Sequence, residues 1–405
     1  MIFMISVDEA IGIVKEQTRA LPAEEIELTE ALGRVLAEDV IADTDLPPFD
    51  RAQMDGYALR SADAVNVPAR LRVVGEAAAG RGWRGTLNAG EAVRIMTGAP
   101  VPAGADSVQQ VEVTREVDEG VAVEIDKSTE AGQFIVRRAS EIERGACVLS
   151  HGEEITAARM AVLASFGYSK VRVGTRPRVT VLATGTELVP VNEVPGEDQI
   201  RDSNTFSLHA YAELAGASVE RLPLAGDDLE LLMREIKEAA ERSDALILSG
   251  GVSMGVYDFT KTALKELGAE IFFERVSLRP GKPTVFARLG RALVFGLPGN
   301  PVSVSVTFNL FARTALKIMQ GASQALMKEE RAVLSRSVRG ALERESFLPA
   351  SLHTNEEGRL VAEPLKWGGS SDFVAFARAT ALINVPAGVK TLDGGAVVRV
   401  LHLPL

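Results

Sequence analysis

Three apolar segments in the middle of the chain, 179–183, 245–248 and 293–295, each run directly into a loop suited to binding oxyanions. In an open parallel sheet, the loops at the carboxyl ends of the strands line a common crevice, where ligands bind. Glycine lets backbone N–H groups approach an anion closely, and a following helix adds the positive end of its dipole. We therefore expect a phosphate-bearing or otherwise anionic ligand. The candidate substrate-binding residues in these loops are Thr184, Gly185, Thr186, Ser249, Gly250, Gly251, Ser253, Pro298, Gly299, Asn300 and Pro301.

A nearby loop with two prolines and a glycine (280–283) adds positive charge to the same crevice. Rigid Pro-Gly and Lys-Pro junctions hold charges where an anion can meet them. Because the whole chain has a formal net charge of −11, this local run of cations favours an anion site over a merely solvated basic loop. The candidate anion-binding residues are Arg275, Arg279 and Lys282.

Acidic residues follow the same strand ends. Glu187 comes after the first segment, and Asp227 and Asp258 lie on consecutive loops before predicted helices. Two carboxylates above one sheet could hold Mg²⁺, which usually takes one or two carboxylates plus ligand phosphate and water. The two aspartates would serve equally as helix N-caps, and Glu187 as an acid in the first turn of a helix. All three are candidate catalytic residues, and Asp227 and Asp258 are the candidate metal ligands.

Two further candidate catalytic residues, Asp55 and Thr97, occur earlier in the chain. Asp55 belongs to a run in which two aspartates bracket an arginine (50–55), directly after a Pro-Pro break. Thr97 places a hydroxyl beside a glycine, a pair suited to an oxyanion. Both segments would also serve as ordinary turns, where aspartate and glycine are common. The residues alone leave both interpretations open.

The composition excludes several classes of function. A hydrophobic content of 46% and a charged content of 24% are typical of a globular protein. The negative net charge argues against nucleic acid or an anionic membrane surface as the main partner. One cysteine, Cys147, excludes an internal disulfide and favours a reducing, cytoplasmic compartment. No signal peptide or membrane-spanning segment is expected.

Three common motifs of metal sites and catalysis are absent from the sequence. The four histidines lack the spacing of a structural zinc site, and there is neither a P-loop lysine motif nor a G-x-S-x-G nucleophile elbow. Chemistry in these loops would therefore be electrostatic and metal-assisted rather than nucleophilic.

The pattern of strands and helices predicts a multidomain α/β plus β protein. Alternating strands and helices over 176–325 predict a central, doubly wound parallel α/β domain. Short strands and glycine-rich turns predict a small all-β module at 46–140 and a C-terminal β-barrel at 326–405. The remaining residues, 1–45 and 141–175, form a split α+β N-terminal region.

Several helix boundaries are also predicted. Ser6 and Glu9 form a capping box for the first helix, and a second short helix is expected over 29–36. In the α/β domain, Asp227 or Asp228 caps one helix. Asn300 caps the last helix of that domain, with Pro301 in the first helical position.

Taken together, the motifs resemble the molybdopterin molybdenumtransferase family, bacterial relatives of the gephyrin E-domain. The resemblance extends over essentially the whole chain, and its specificity comes from six modest motifs in the same order. These motifs are at 54–58, 97–100, 183–188, 249–253, 279–283 and 296–303.

The resemblance implies a molybdenum insertase. Adenylylated molybdopterin and molybdate would be the substrates, Mg²⁺ would assist cleavage of the adenylate, and molybdenum cofactor and AMP would be the products. It also implies a homodimer, joined through the split N-terminal region, in which the β module of one chain completes the α/β cleft of the other. Transient contacts with other enzymes of molybdenum cofactor biosynthesis would follow.

The resemblance also implies roles for individual residues. Asp55 and Thr97 would complete the cleft in trans. The three acidic residues of the strand-end loops would handle the metal and polar groups of the substrate, and Arg279 and Lys282 would hold phosphate or molybdate. The glycine loops would cradle the pterin phosphate through backbone N–H groups.

This chain departs from the family pattern at several positions. Ala52 and Gln53 stand where a serine is common before Met-Asp-Gly-Tyr, and Ala139-Ser140-Glu141 replaces Gly-Glu-Asp. Arg275 and Arg279 occupy positions where lysine is familiar, which keeps the charge but changes its geometry.

Two functions are alternatives to the molybdenum insertase. One is a molybdopterin adenylyltransferase, which uses a similar α/β domain, and the other is a non-enzymatic scaffold like gephyrin.

Overall fold

The structure is a computed structural model that describes residues 4–224, 228–251 and 259–404. In these ranges, no helix has both the length and the apolar character that crossing a membrane requires. The described residues include eight α-helices: α1 (Val7–Gln17), α2 (Ala157–Ser165), α3 (Asn204–Leu214), α4 (Leu229–Arg242), α5 (Phe259–Glu266), α6 (Pro301–Thr307), α7 (Arg313–Met319) and α8 (Phe373–Phe376). A π-helical turn, Phe308–Ala312, joins α6 to α7, so the last helix of the α/β domain, which was expected to begin at Pro301, is continuous to Met319.

The strands of the first half of the chain are mostly short. They are β1 (Ala23–Glu27), β2 (Val40–Ile41), β3 (Arg51–Ala52), β4 (Gly56–Leu59), β5 (Ala69–Ala77), β6 (Glu91–Ile95), β7 (Ser107–Gln110), β8 (Thr114–Val117), β9 (Ala122–Ile125), β10 (Ile135–Val136), β11 (Cys147–Leu149), β12 (Lys170–Gly174), β13 (Arg178–Ala183), β14 (Leu188–Val189) and β15 (Ile200–Arg201).

The second half supplies the rest of the central sheet and the C-terminal barrel. Its strands are β16 (Ser218–Arg221), β17 (Ala245–Ser249), β18 (Glu270–Phe273), β19 (Leu278–Arg279), β20 (Val285–Leu289), β21 (Ala292–Leu297), β22 (Glu329–Leu334), β23 (Val338–Arg339), β24 (Glu345–Thr354), β25 (Leu360–Pro364), β26 (Ala381–Val385), β27 (Thr391–Leu392) and β28 (Val397–His402).

The chain forms two compact units. The first contains residues up to Glu38, then His151–Ala157, and everything from Lys170 onward. The second contains Asp39–Ser150 and Ala158–Ser169. The domain boundaries expected from the sequence remain predictions.

The central sheet of the first unit has the order β16-β13-β17-β21-β20-β18. The first four strands in this order, β16, β13, β17 and β21, run parallel to one another. Strand β20 runs antiparallel to both of its neighbours, β21 and β18. The α/β class is therefore confirmed, and the sequence pattern missed the antiparallel pair. A short connection explains the reversal: β20 and β21 are joined by a tight turn at Gly290, too short for the crossover that parallel neighbours need.

Alternate residues of the central strands face two helical layers. Val181 and Ile247 pack in one core with Leu208 of α3. The intervening residue Leu182 packs in a second core with Ile236 of α4. Because successive side chains of a strand point to opposite faces, apolar residues at every position predict cover on both sides. The doubly wound arrangement is thus explained.

A closed barrel of five strands forms the C-terminal part of the same unit. The pairings run β24-β25-β22-β28-β26, and β26 pairs back with β24. Closure leaves none of these five strands as an unpaired edge. The expected C-terminal β-barrel is confirmed.

The second unit is built on a six-stranded sheet with the order β7-β4-β6-β5-β9-β8. Its core includes Tyr57, Leu59 and Val123, which are almost completely buried. The expected β module is therefore present as a sheet.

Local predictions near the amino terminus had mixed outcomes. Ser6 and Glu9 form the expected capping box, with the Glu9 N–H 3.1 Å from the Ser6 Oγ. The helix expected over 29–36 is wrong: a 3₁₀ turn covers only Leu28–Glu30. Gly33 has a φ of 74°, which ends right-handed helical geometry. Leu36 instead forms a bridge to Val173.

A half-buried carboxyl group, Glu345, lies at the start of the long barrel strand β24. Its Oε1 accepts a hydrogen bond of 2.6 Å from the Asn384 amide. Burial, followed by the nearby carboxylates of Asp8 and Glu329, raises the pKa of Glu345, and the Asn384 amide and Arg399 offset this only in part. The folded protein therefore favours the protonated form of this group.

We expect Glu345→Gln to stabilise the protein at high pH and not at low pH. A carboxyl whose pKa is raised by folding contributes stability below its unfolded pKa and loses it as the pH rises through the folded pKa. Glutamine keeps an acceptor for Asn384 and cannot ionise. In thermal melts from pH 4 to 9, the variant's melting temperature should equal that of wild type near pH 4 and rise above it with increasing pH, to a difference of roughly 1–3 °C. Glu343→Gln, at an exposed position, is the control. An equal shift at every pH would contradict the assignment.

Candidate functional site

Three strand-end loops meet at one edge of the central sheet. Ala183 of β13 lies opposite Ser249 of β17, which lies opposite Leu297 of β21. Main-chain hydrogen bonds continue past the strand ends, from Thr184 N–H to the Ser249 carbonyl (3.0 Å) and from Gly250 N–H to the Leu297 carbonyl (3.2 Å). The loops therefore start at the same level. This brings together the predicted ligand-binding residues from 184–186, 249–251 and 298–301.

Asn204, the first residue of α3, ties two of these loops together. Its amide nitrogen donates to the Ser249 hydroxyl at 2.9 Å and to the Gly299 carbonyl at 2.7 Å. Its Oδ1 is buried without a hydrogen-bond partner. This residue was not predicted from the sequence. The available signal was a polar run before a helix, in which Asp202 accepts a hydrogen bond from Thr205 N–H at 3.1 Å.

The glycine pair after β17 is required by close packing. Gly250 and Gly251 have φ values of 92° and 63°. A Cβ on Gly250 would lie 2.5 Å from the Thr184 carbonyl oxygen, and one on Gly251 would lie 2.5 Å from the Thr260 Oγ1. Only glycine fits both the backbone conformation and the space. The main chain of this loop is therefore held against its neighbours, with its amide groups at the sheet edge.

Glu187 folds back over its own loop. Its Oε2 lies only 2.4 Å from the place that a Cβ on Gly185 would occupy. The Leu188 N–H bonds to the Gly185 carbonyl at 3.2 Å, so the loop turns tightly here. The exposed carboxylate of Glu187 and the buried Thr184 are thus adjacent oxygen donors at the sheet edge.

A cavity of about 350 Å³ lies beside these loops and carries three cations. Arg279 and Lys282 were predicted, whereas Arg344 comes from the barrel. No carboxylate is among the described residues that line the cavity. Such a lining suits an oxyanion. It consists of Arg279, Pro280, Gly281, Lys282, Pro283, Pro298, Asn300, Ser303, Arg344, Trp367, Gly369 and Ser370.

Strand β19 joins the cationic loop to the barrel. Leu278 and Arg279 pair in parallel with Glu345 and Ser346 of β24. Arg344, directly before β24, is thereby brought to the same cavity as Arg279. Nothing in the sequence pattern indicated Arg344, because its position depends on a pairing between residues more than 60 apart in the chain.

The loop itself is rigid. Val276 N–H bonds to the Lys282 carbonyl at 3.0 Å. Gly281 has a φ of 113°, and a Cβ there would lie 2.4 Å from the Thr307 Cγ2. Arg275, the third predicted cation, does not line the cavity, and its carbonyl accepts a hydrogen bond of 3.3 Å from Ile5 N–H.

Asn300 bridges to the barrel instead of capping its helix. It occupies the N-cap position of α6, with Pro301 first in the helix as expected, but its side chain makes no capping bond. The amide nitrogen donates to the Ser370 hydroxyl at 3.0 Å, and Val302 N–H bonds to the Ser370 carbonyl at 3.0 Å. The predicted side-chain cap is wrong because the amide has a barrel partner. Ser370 and Trp367 are further cavity residues that the sequence did not reveal.

In the second unit, the structure brings Asp55 and Thr97 together. Gly56 of β4 pairs with Ile95 of β6, so the two residues stand at adjacent strand ends. Asp55 Oδ1 accepts the Thr97 N–H at 2.6 Å and the Thr97 hydroxyl at 2.8 Å. The N–H bond, then the hydroxyl bond, holds the pKa of Asp55 below its usual range. Asp55 is thus an oriented, ionised carboxylate on an exposed surface.

The neighbouring Asp50–Arg51 turn forms exposed ion pairs within the second unit. Asp50 binds Arg137 at 2.6 Å, and Arg51 binds Glu141 at 3.1 Å. These contacts agree with the interpretation of the segment as a polar turn, and pairs this exposed contribute little stability.

Three predicted residues, Ser253, Asp227 and Asp258, lie outside the described residues. Asp228 caps α4, accepting the Leu231 N–H at 3.0 Å, which decides between the two cap candidates. In the part of the chain that the structure describes, no group of three or more histidine, cysteine, aspartate or glutamate side chains could hold a metal ion.

Comparisons with known protein families cover nearly the whole chain. Residues 5–167 match the model of the MoeA N-terminal region (domains I and II). Residues 180–318 match a probable molybdopterin-binding domain, and residues 331–403 match the MoeA C-terminal region (domain IV).

Individual relatives are similar to this chain over nearly its full length. The chain is 35% identical to a molybdopterin molybdenumtransferase of Bacillus subtilis, over 98% of this chain and 94% of the relative. A protein of the same name from Staphylococcus aureus is 34% identical, over 98% and 95%. A solved structure of a molybdopterin biosynthesis MoeA protein from Pyrococcus horikoshii superposes with a TM-score of 0.80 at 31% identity, covering 99% of both chains.

We expect Thr97→Val to raise the pKa of Asp55. The substitution removes the hydroxyl donor and keeps the shape and the backbone N–H, so the downward shift should shrink without disappearing. The stability that this pair contributes is present above the ordinary aspartate pKa and is lost as the pH falls through the lowered one. An NMR titration of the Asp55 carboxyl carbon measures the change. Thr114→Val, at a strand in the same sheet, is the control, and an unchanged Asp55 pKa in Thr97→Val would refute the assignment.

Proposed function

The chain belongs to the MoeA family, whose curated members are named molybdopterin molybdenumtransferase, and we propose that it transfers molybdenum to molybdopterin in molybdenum cofactor biosynthesis. The observation that carries this proposal is the cavity lined by Arg279, Lys282 and Arg344. Molybdate is a dianion with four oxygens, and three convergent cations together with the Ser370 hydroxyl suit such a ligand. In this role, the cavity holds molybdate as a substrate.

The strand-end loops are the proposed site for molybdopterin. They lie next to the cationic cavity and share Pro298 and Asn300 with it. The backbone N–H groups of Gly251, Gly299 and Asn300 would bind the phosphate of the pterin. Asn204 would position both loops through its two hydrogen bonds. A pterin bound there would bring its dithiolene beside molybdate.

We further propose that the molybdopterin arrives adenylylated and that AMP leaves. Cleavage of the phosphoanhydride needs charge stabilisation, and Mg²⁺ would supply it as a Lewis acid. The described donors at the sheet edge fit magnesium, since Thr184 and Glu187 offer oxygen and neither is a soft ligand. Asp227 and Asp258 are the proposed metal ligands by resemblance. Thr184 and Glu187 would orient the phosphate and the ribose.

A homodimer with a shared site is part of the proposal. Asp55 and Thr97 form a fixed carboxylate–hydroxyl pair on an exposed surface of the second unit. The family resemblance assigns this pair to the cleft of a partner chain, where it would contact the bound substrate. The cytoplasmic location and transient contacts with other enzymes of the same biosynthesis stay predictions.

The two alternatives are not favoured. A lone adenylyltransferase domain would account for residues 180–318 but not for the matches at 5–167 and 331–403. A scaffold would have no use for a cavity with three cations, one of them contributed by the barrel.

The test is AMP release, with Arg344→Gln as the informative variant. Wild-type protein, given adenylylated molybdopterin, molybdate and Mg²⁺, should release AMP and form molybdenum cofactor, both measured by mass spectrometry. Loss of one charge-assisted hydrogen bond costs about 1.5–3 kcal/mol. We therefore expect kcat/KM for molybdate to fall about 10- to 100-fold in Arg344→Gln.

Arg339→Gln is the matched control, because Arg339 is an exposed arginine of β23 that does not line the cavity. Its kinetics should equal those of wild type. Failure of the wild type to release AMP at saturating substrate would contradict the insertase. Consumption of ATP with unadenylylated molybdopterin would support the adenylyltransferase instead.

A further inference from the structure

A second basic cavity lies at the opposite edge of the central sheet. It encloses about 720 Å³, and its lining includes Arg19, Arg178, Arg288 and Arg291, with Asp244 as the acidic residue among the described lining groups. Four cations against one carboxylate give this cavity a formal charge of about +3 in a chain whose net charge is −11. The proposed function uses none of these residues.

The cavity is separate from the site described above. Arg178 is the first residue of β13, and Asp244 directly precedes β17. These are the amino ends of the strands whose carboxyl ends carry the catalytic loops. Strands of five to six residues rise about 17–20 Å between their ends. A ligand of moderate size in this cavity would therefore not touch the strand-end loops.

Only one of the four arginines is neutralised. The Arg178 guanidinium pairs with Asp244, with 3.3 Å between Nη2 and Oδ1, and the Arg178 N–H also binds this carboxylate at 2.9 Å. Among the described residues, no carboxylate lies within ion-pair distance of Arg19, Arg288 or Arg291. These three guanidinium groups keep their positive charge uncompensated.

Main-chain carbonyls orient the uncompensated arginines. Arg19 Nη1 donates to the Glu16 carbonyl at 2.7 Å. Arg288 Nη2 donates to the Gln17 carbonyl at 2.8 Å and to the Gln17 Oε1 at 3.0 Å. Arg291 Nη2 donates to the Glu241 carbonyl at 3.1 Å. These hydrogen bonds satisfy main-chain carbonyl groups at the carboxyl-terminal ends of α1 and α4. Each bond uses one nitrogen of a guanidinium that carries five N–H donors, so donors remain for a ligand.

Apolar groups complete the lining. Leu21, Pro22 and Met319 stand beside the arginines, and Leu21 N–H bonds to the Met319 carbonyl at 2.7 Å. Small-molecule sites commonly enclose about 300–1,000 Å³ and combine apolar walls with a few polar groups. Capping of two helices requires neither the enclosed volume nor the convergence of three free charges.

We propose that this cavity binds a small phosphate-bearing molecule of nucleotide size. The guanidinium groups of Arg19, Arg288 and Arg291 would donate charge-assisted hydrogen bonds to the phosphoryl oxygens. The apolar wall would receive the ring system. Bound there, the molecule would join the end of α1 to the β20–β21 turn. This inference does not depend on the proposed function, because it uses different residues and a different readout.

Hydrogen–deuterium exchange with mass spectrometry tests the site in the full-length protein, using AMP and inorganic pyrophosphate as probes. AMP should slow exchange in peptides covering residues 17–22 and 288–293, whatever it does at the strand-end loops. Protection by both probes would support a site that recognises phosphate alone. Protection by AMP only would support a site that also recognises the ring system. Protection of these peptides by neither probe at millimolar concentration would overturn the proposal.

A variant series separates binding from folding. In Arg19→Gln/Arg291→Gln we expect local protection by AMP to need at least tenfold more nucleotide. Arg242→Gln, which removes an exposed arginine paired with Glu220, should behave as wild type. These substitutions also remove hydrogen bonds to the ends of α1 and α4 and could weaken folding. Thermal melts therefore check that each variant is folded, and the single variant Arg19→Gln is measured beside the double variant. Unchanged AMP dependence in a well-folded double variant would refute the role of these arginines.

Discussion

The register between β13, β17 and β21 is the constraint on which the site depends. Because Ala183, Ser249 and Leu297 lie side by side, three loops of unrelated sequence leave the sheet at one level. A shift by one residue in any pair would turn alternate side chains towards the wrong helical layer. The two apolar cores on either face of the sheet hold the register, and the loops need only the small residues that let them approach one another.

The second requirement is the attachment of the barrel. Pairing of β19 with β24 places Arg344 with Arg279, and the bond from Asn300 to Ser370 closes the other side of the cavity. An anion site made of cations from two parts of a chain repels itself when empty. Rigid turns and paired strands must therefore hold it together, which explains why the loop carrying Lys282 is rich in proline and glycine.

Much of this arrangement could be predicted from the sequence, because it follows from local sequence patterns. Continuous apolar runs identified the central strands, and glycine-rich segments after them identified the crevice. What escaped prediction depends on distant pairings: Arg344 and Ser370 join the site through contacts with residues far away in the chain, and Asn204 acts through a loop 45 residues later. The helix expected over 29–36 failed because Gly33 turns the chain out of helical geometry.

The central claim is that the cavity between the strand-end loops and the barrel binds a tetrahedral oxyanion. Crystals soaked with molybdate and measured at the molybdenum absorption edge test it most directly. The account predicts one strong anomalous peak within hydrogen-bonding distance of Arg279, Lys282, Arg344 and the Ser370 hydroxyl. A cavity without anomalous density at saturating molybdate, with the ion bound elsewhere or nowhere, would contradict it.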